Sequence, residues 1–333
     1  MNRHGLAMTL GAAAVAAVLV SCGSSTSSAP PTTPAPPAPS AGPTATAGLP
    51  VAGTEVAREE VDTQPDGLTF GLGSLWVGHY GSSGIERIDP DTGTVTATID
   101  TGLRPIQVAT ADGAVWTSDY GGKTATRVDP STNKAVATVD VGLLPEGVAV
   151  AGGLVWVANQ GDGTVSVIDP GRDRVVKTLD LGNYAGFVTA AFGDVWVPDF
   201  GGDTVARIDP ATRKVVATVK VGAKPLFVAA ANGSAWVTNF DDGTVSRIDP
   251  ARNTVTATVT LPGGQPQGVV GFAGSVWVGS IEADSIYRVD PATNAVTGEI
   301  PVGGGPRSMA PAAGDLWVCL FDDNAVARIR LQA

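Results

Sequence analysis

All seven tryptophans of this chain occupy the same place in a unit that the sequence repeats seven times. The steps between successive tryptophans are 40, 40, 40, 40, 41 and 40 residues. A fixed period of this length marks a structural unit copied in series, so we predict one closed repeat array. The tryptophans are Trp76, Trp116, Trp156, Trp196, Trp236, Trp277 and Trp317.

Each unit contains four short apolar runs separated by Gly, Pro, Asn and Asp. In the unit from 145 to 182 these runs are 147–151, 154–158, 164–169 and 175–180. None has helical periodicity, and their length and composition favour an antiparallel meander of strands. Four-stranded units that repeat about every 40 residues are blades of a β-propeller. We therefore predict an all-β fold, a seven-bladed β-propeller of four-stranded antiparallel blades.

The seventh unit supplies only three candidate strands, the last at about 325–331. Segment 54–62 precedes Pro65, where an outer strand precedes the proline of other units. We predict that this N-terminal strand completes the last blade and closes the ring. Closure would also cover strand edges that otherwise promote aggregation.

Two further features recur at fixed distances from the tryptophan. An arginine follows it by 11 residues in six units, and Val167 takes this place in the other unit. A hairpin turn of about six residues would set each arginine opposite its own tryptophan, with the guanidinium on the indole face. An Asp-Pro pair follows by 13 residues in six units and predicts a turn, because Asp accepts a backbone hydrogen bond and Pro fixes φ.

The first 52 residues have the composition of an export segment followed by a linker. Residues 1–21 combine Arg3 with an apolar run too short for a comfortable membrane span, which predicts a signal peptide. The run ends in Leu-Val-Ser-Cys, which resembles the bacterial lipobox and implies cleavage before Cys22 and lipidation of that residue. Residues 22–52 then comprise lipidated Cys22 and a disordered Ser/Thr/Pro/Ala linker, with the propeller at 53–333. The resulting localisation is the cell membrane, lipid-anchored and facing outside the cytoplasm.

Charge and cysteine content limit the partners. The formal net charge is −11, which disfavours nucleic acid because binding there depends on Lys and Arg. The expected partners are the membrane, through the lipid on Cys22, and an unknown protein or small-molecule ligand; we expect a monomer. Cys319 lies inside a repeat and is expected to be a buried apolar side chain.

The pattern VG..P.GVA.A.G.VWV.N..D.TVS.IDP resembles YVTN-type β-propeller repeats and their YncE-like bacterial relatives over about residues 54–333. This resemblance implies a seven-bladed propeller exported from the cytoplasm, and little about its chemistry. A looser similarity to virginiamycin B lyase-like propellers implies a histidine and a glutamate on one face with a divalent metal. The units here read WVxN where those lyase repeats carry WFTE, which argues against lyase activity.

The loops that lead into the inner strands and the loops between the second and third strands should share one face and surround a central pocket. Aromatic residues stand four places after the tryptophan in five units, and polar residues three places after it in six. These side chains also have a structural interpretation, since they can satisfy turn amides and cover blade edges. The predicted ligand-binding face comprises His79, Tyr80, Asp119, Tyr120, Glu146, Asn159, Asp199, Phe200, Asn239, Phe240 and Arg307.

No phosphate loop, nucleophile elbow or Cys/His cluster occurs in the sequence. We predict a non-catalytic propeller that binds a ligand or protein through its loop face, without metal or cofactor. The alternative is a metal-dependent C–O lyase acting on a cyclic depsipeptide or related ester, with His79, Glu146 and Glu282 as base candidates. The pairs 241–242 and 322–323 have Ca²⁺-binding side chains but fit ordinary solvated acidic loops.

Overall fold

The structure, a computed structural model, describes residues 48–332. Every regular element in this range is a β-strand, and the range holds no helix of the length and apolarity that a membrane span requires. The predicted signal peptide (1–21), Cys22 and the linker up to residue 47 lie outside the described residues and stay predictions.

The strands form seven four-stranded antiparallel sheets, as the repeat period predicted. From inner to outer strand, blade 1 has β2 (Pro65–Gly71), β3 (Ser74–His79), β4 (Gly84–Ile88) and β5 (Val95–Asp100). Blade 2 has β6 (Pro105–Ala111), β7 (Ala114–Asp119), β8 (Thr124–Asp129) and β9 (Lys134–Asp140). Blade 3 has β10 (Pro145–Ala151), β11 (Leu154–Asn159), β12 (Thr164–Asp169) and β13 (Arg174–Asp180).

Blade 4 departs from the others because its inner strand is short. It has β14 (Thr189–Ala191), β15 (Asp194–Asp199), β16 (Thr204–Asp209) and β17 (Lys214–Lys220). Blade 5 has β18 (Pro225–Ala231), β19 (Ser234–Asn239), β20 (Thr244–Asp249) and β21 (Thr254–Thr260). Blade 6 has β22 (Pro266–Phe272), β23 (Ser275–Ser280), β24 (Ser285–Asp290) and β25 (Ala295–Pro301).

The two ends of the domain complete blade 7 together, which confirms the predicted closure. Its strands are β26 (Pro306–Ala312), β27 (Asp315–Leu320), β28 (Ala325–Leu331) and, outermost, β1 (Gly53–Glu60). β1 runs antiparallel to β28, from the pair Gly53–Leu331 to the pair Glu60–Ala325. A register shift falls between Glu55 and Ala57, so Val56 lies at an irregularity of the same sheet as Ile329.

The tryptophans form the core of the blades, and all seven are among the largest fully buried side chains. In five blades the indole N–H donates to the carbonyl five residues earlier, at the turn between the first two strands. This bond gives a buried polar group its partner and anchors the second strand to the first. The tryptophan repeat is therefore a packing device.

The predicted pairing of arginine with tryptophan is confirmed in register, because all six arginines lie directly opposite their tryptophan. The predicted guanidinium–indole contact occurs in four blades, with 5.0–5.4 Å between the guanidinium carbon and the ring centroid. It is wrong for Arg127 and Arg288. Arg127 pairs with Asp173 at 2.7 Å, and Arg288 donates to Thr297 of its own blade.

The arginines also bind the next blade, which the sequence did not suggest. Nη1 of Arg87 donates to the carbonyl oxygen of Pro130 at 2.9 Å and to Asn133 at 3.0 Å. Arg247 makes the same two contacts with Pro291 and Asn294. Equivalent contacts to the following turn come from Arg207 and Arg328. Each of these arginines therefore links its own tryptophan layer to the outer turn of the next blade.

The boundary between blades 6 and 7 is built differently. Blade 7 has no turn between its third and fourth strands, because these come from opposite ends of the domain, so Arg288 has no such turn to reach. Here the segment 50–52 makes the link: Ala52 N–H donates to the Glu299 carbonyl, and Glu299 N–H donates to the Pro50 carbonyl, both at 3.0 Å. The Ala52 carbonyl accepts from Gln332 N–H at 3.0 Å.

The Asp-Pro pairs form turns, as predicted. Asp89 is representative: its Oδ1 accepts from the backbone N–H of Asp91 at 2.8 Å and of Thr92 at 3.0 Å. Hydrogen bonds from side chains and backbone N–H groups of these turns lower the pKa of all six aspartates, because they favour the charged carboxylate. These aspartates lie at one end of the strands, and the loops that lead into the inner strands lie at the other end.

Candidate functional site

The two predicted sets of loops meet on one face of the ring. In every blade, the residue four places after the tryptophan donates its backbone N–H to the carbonyl just before the inner strand. In blade 1 this bond joins Tyr80 to Gln64 at 2.9 Å, and in blade 5 it joins Phe240 to Lys224 at 2.9 Å. The bond holds the side chain that follows each second strand at the mouth of the central channel.

Five of these side chains are aromatic, and we call them the aromatic rim; they are Tyr80, Tyr120, Phe200, Phe240 and Phe321. The ring centroid of Tyr80 lies 5.9 Å from that of Tyr120 and 6.1 Å from that of Phe321. Cationic side chains lie over three rim rings: Arg104 over Tyr80, Lys224 over Phe200 and Arg307 over Phe321.

Blade 3 carries Gln160 at the rim position in place of an aromatic residue. Gln160 accepts a hydrogen bond from the Tyr120 hydroxyl at 2.9 Å, and its amide donates to the Tyr184 hydroxyl. Tyr184 in turn packs on Phe200, with 4.8 Å between ring centroids. The rim therefore continues across blades 2, 3 and 4 through hydrogen bonds and stacking.

Below the rim lies a central pocket with a volume of about 490 Å³. This is within the range of small-molecule sites. Much of its wall comes from the residue that follows the proline at the start of each inner strand. The lining residues are Gln64, Asp66, Tyr80, Ile106, Tyr120, Glu146, Phe187, Phe200, Leu226, Phe240, Gln267, Arg307 and Phe321.

One side of the pocket carries an ion pair. Nη1 of Arg307 lies 3.1 Å from Oδ2 of Asp66, and Asp66 is 3% exposed. The guanidinium carbon of Arg307 lies 3.7 Å from the ring centroid of Phe321. Burial raises the pKa of Asp66, and the neighbouring Arg307 opposes that rise. The two other polar atoms, Asp66 Oδ1 and Arg307 Nε, are buried and have no hydrogen-bond partner within residues 48–332.

Glu146 of blade 3 is the second buried carboxyl group of the pocket. Burial, with a smaller contribution from the Asp66 carboxylate, raises the pKa of Glu146 to about 8, although Gln160 and Arg307 act to lower it. Its Oε2 is buried and lacks a hydrogen-bond partner among the described residues. Glu146 therefore changes charge near neutral pH in contact with the pocket.

The wall formed by blades 4 and 5 is apolar. Phe187 stacks on Phe227 with 4.0 Å between centroids, and Leu226 lies beside them. Blade 4 has Gly186 where blades 3 and 5 have Glu146 and Leu226. A Cβ atom at Gly186 would meet nothing closer than 3.5 Å, and Glu146 Oε2 would lie at 3.7 Å. The glycine thus leaves room between the buried carboxyl group and the apolar wall.

The predicted face separates into two groups in the structure. Tyr80, Tyr120, Glu146, Phe200, Phe240 and Arg307 line the pocket together. The five polar residues three places after tryptophan do not line it; they are His79, Asp119, Asn159, Asp199 and Asn239. Ligand binding by either group stays a prediction.

The second group is engaged in its own loops. Asp119 accepts from the hydroxyls of Thr117, Thr124 and Thr126. Asn159 and Asn239 each donate to a Thr and a Ser of the third strand. Asp199 accepts from backbone N–H groups of its own loop and of Tyr184. The bonds of Asp199 satisfy turn amides, as the structural interpretation of this position expects. The bonds of Asp119, Asn159 and Asn239 named above join Thr and Ser side chains of the strands instead.

The candidate bases of the lyase alternative do not share one cavity. His79 is fully buried, and its Nε2 lies 3.2 Å from Oε2 of Glu86. Glu146 faces the central pocket, and Glu282 is exposed on a loop of blade 6. Within residues 48–332, no three His, Cys, Asp or Glu side chains are grouped closely enough to hold a metal ion.

The consecutive aspartates 241–242 and 322–323 on the loop face make contacts with other residues of the propeller. Asp241 pairs with Lys224 at 2.7 Å, and Asp242 accepts from Ala223 N–H at 2.6 Å. Asp323 pairs with Arg58 of β1 at 2.7 Å. These contacts hold the loops in place.

Sequence reasoning missed part of the pocket wall. Ile106 and Leu226 follow the inner-strand proline just as Asp66 and Glu146 do, and this shared position would have identified them. Phe187 had no such marker, because blade 4 carries Ala185 in place of that proline.

Protein-family models and curated proteins give no match to this chain. Solved structures share its fold. Selenomethionine-substituted virginiamycin B lyase from Staphylococcus aureus has a TM-score of 0.73 at 17% identity, covering 83% of this chain and 99% of that chain. A catalytically inactive variant of that lyase with quinupristin has a TM-score of 0.72 at 17% identity, covering 83% and 99%. Kuenenia stuttgartiensis hydrazine synthase has a TM-score of 0.70 at 17% identity, covering 82% and 97%.

Proposed function

We propose that this protein is a binding propeller that holds a small ligand, or a small group of a protein partner, in its central pocket without catalysing a reaction. The observation that carries the proposal is the set of buried, unpartnered polar atoms that line the pocket: Asp66 Oδ1, Glu146 Oε2 and Arg307 Nε. A buried polar group without a partner costs about 1–3 kcal/mol, so a ligand that supplies those partners gains affinity.

The rest of the pocket suits the same role. The aromatic rim offers a large apolar contact area at its mouth, and the wall at Phe187 and Leu226 offers another. The pocket lining contains no Ser, Cys or His, so it offers no Ser–His or Cys–His nucleophile–base pair. Binding without chemistry is the simplest use of this arrangement.

We further propose that the protein belongs to the YVTN-type, YncE-like propellers and is a lipoprotein facing outside the cytoplasm. The repeat pattern and the signal peptide ending at Cys22 support this. Segment 50–52, which follows the linker, lies against Glu299 at the outer edge of blade 6.

A metal-dependent C–O lyase is the second candidate, because the virginiamycin B lyases share this fold. The separate locations of His79 and Glu146 weaken it. Mg²⁺-dependent opening of a cyclic depsipeptide ester that is lost in His79→Ala would establish this candidate and overturn the binding proposal.

Affinity selection with mass spectrometric detection tests the binding proposal. The full-length chain in detergent is incubated with a membrane and metabolite extract, and retained compounds are compared with those retained by Gly186→Leu. This substitution places a Cβ atom in van der Waals contact with Glu146 Oε2, and the rest of the leucine side chain should block the pocket beside it. Thr98→Leu, on the exposed side of β5, is the matched control.

We expect compounds that the unmodified chain and Thr98→Leu retain and Gly186→Leu loses. Retention that is identical in all three proteins would show that binding, if any, occurs outside the central pocket. Near-UV circular dichroism of Gly186→Leu checks that the ring is intact.

A further inference from the structure

We propose that the central pocket selects a primary or secondary ammonium group carried on an apolar body, with the ammonium held by Asp66 and Glu146. We call these two carboxyl groups the acidic pair. The inference rests on the proposed binding function and adds the chemical class of the ligand.

The only guanidinium in the pocket lining is already engaged, which disfavours an anionic ligand. Nη1 of Arg307 contacts Asp66 at 3.1 Å, and Phe321 covers the guanidinium face at 3.7 Å. An anion would have to displace the Asp66 carboxylate while also approaching Glu146. Once Glu146 is ionised, two carboxylates face one guanidinium, which suits the polar side of the pocket to a cation.

The acidic pair offers two acceptor atoms that lack donors. Asp66 Oδ1 and Glu146 Oε2 are both buried and unpartnered among residues 48–332, and each residue is more than nine-tenths buried. An ammonium group carries several N–H donors and accepts nothing, so one such group has enough donors for both oxygens. A neutral hydroxyl has one donor and leaves one oxygen unpaired. The pocket should therefore discriminate between an amine and the matching alcohol.

The apolar body has a place beside the acidic pair. Gly186 leaves space 3.7 Å from Glu146 Oε2, and the next residues along this wall are Phe187 and Leu226. An aromatic or aliphatic body lying there would be stabilised by burial of its apolar surface. The ammonium should be joined to that body by a short chain, because carboxyl group and wall are neighbours.

Binding of a cation should also release a proton. Burial raises the pKa of Glu146 to about 8, so the group is largely protonated near neutral pH. The groups that act on it are Gln160, Asp66 and Arg307. Burial, and after it the Glu146 carboxylate, raises the pKa of Tyr120 and Tyr184. An ammonium favours the charged carboxylate, and the linkage between the two equilibria expels the proton.

The ammonium can come from a free amine or from a lysine side chain of a peptide. Both present the same group to the acidic pair. A soluble amine and a lysine-containing peptide therefore form separate arms of the test, and binding of either supports the ammonium assignment.

Isothermal titration calorimetry of the full-length chain in detergent, at about pH 7, tests the assignment with three probes of matched shape. Tryptamine is cationic, tryptophol neutral and indole-3-acetate anionic. We expect tryptamine to bind at least about tenfold more tightly than the other two. Its binding enthalpy should differ between phosphate and Tris buffers, because a released proton is taken up by the buffer. The peptide arm compares acetyl-Trp-Lys-amide with its Nε-acetylated form.

Glu146→Gln should lower the affinity for tryptamine about tenfold and abolish the buffer dependence. Glu60→Gln removes the same charge from the exposed side of β1 and should change neither. A thermal melt of Glu146→Gln checks the fold. Gly186→Leu should prevent binding of every probe.

Two results would overturn the ammonium assignment. If tryptophol or indole-3-acetate binds as well as tryptamine, and Gly186→Leu removes that binding, the ligand class is wrong while the binding function stands. If neither tryptamine nor the lysine peptide binds up to about 10 mM, the ammonium assignment is also wrong. The affinity-selection experiment then decides the binding function independently.

Discussion

The Nζ atom of Lys177 lies 2.7 Å from the carbonyl oxygen of Arg213, across the boundary between blades 3 and 4. Lys177 stands directly opposite Val167, the one position where the repeated arginine is missing. Lys177 thus donates from the outer strand of blade 3 to the turn of blade 4. At other boundaries an arginine of the third strand donates to the corresponding turn of the next blade. Loss of the arginine in one repeat is compensated by a cation on the neighbouring strand.

Lys177→Met should lower the free energy of unfolding by about 1–2 kcal/mol, because it leaves the Arg213 carbonyl without its charged donor. Chemical denaturation measures this. Lys177→Arg should retain most of the stability, and adding Val167→Arg to Lys177→Met should restore part of it. Equal stability of Lys177→Met and the unmodified chain would show that the contact contributes nothing.

Arg247→Met should destabilise the ring more than Arg288→Met. Both arginines lie opposite a tryptophan, but Arg247 donates to Pro291 and Asn294 of the next blade, whereas Arg288 donates only to Thr297 of its own blade. We expect a difference of about 1–2 kcal/mol in the free energy of unfolding. If the two variants melt together, the cross-blade bonds do not stabilise the ring.

A chain that begins at Gly53 should be less stable than one that begins at Gly48. Removal of 48–52 deletes the backbone bonds that join Glu299 of blade 6 and Gln332 to Pro50 and Ala52. We expect a loss of about 1–3 kcal/mol and faster hydrogen exchange at Glu299. Gly48→Ala keeps these bonds and adds a Cβ atom that meets nothing within 4 Å. It is the control and should have little effect.

Glu146→Gln should make the ring more stable at high pH. The pKa of Glu146 is about 8 in the folded chain against 4.5 ordinarily, so the folded state binds the extra proton between these values. The contribution of protonated Glu146 to the stability of the folded chain is full below the ordinary pKa of 4.5 and is lost as the pH rises through about 8. The variant removes this loss, on the order of 3 kcal/mol at about pH 9 and little at about pH 5.

Thermal melts of both proteins across this pH range check the prediction. Glu60→Gln is the control, since Glu60 is exposed on β1. A constant difference between the melting temperatures of Glu146→Gln and the unmodified chain at all pH values would contradict a raised pKa.

The sequence predicted the fold well because each blade repeats the same local rules. The Trp76–Arg87 pairing follows from hairpin length, and the Asp89 turn from its own side chain. The cross-blade bond from Arg87 to the Pro130 carbonyl was not predictable in this way, because a backbone acceptor 43 residues away leaves no mark on the sequence.

The candidate site was predictable only where it repeats. Tyr80, Tyr120 and Phe240 share one place in the unit, and that shared position identified them. The ion pair between Arg307 and Asp66 joins residues 241 apart in the chain, so only closure of the ring brings them together. Gly186 could not be identified from the sequence either, because its role in the pocket depends on the absence of a side chain.

The pairing of β1 with β28 also sets an order of events. β1 is the first strand of the domain to be synthesised, yet the strand that it pairs with is made last, about 265 residues later. Closing a loop of that length is entropically costly and comes only after the intervening blades have brought the ends close. A chain interrupted before Ala325 leaves β1 without its partner strand. The last blade, and with it the ring, is therefore completed only when the whole domain has been synthesised.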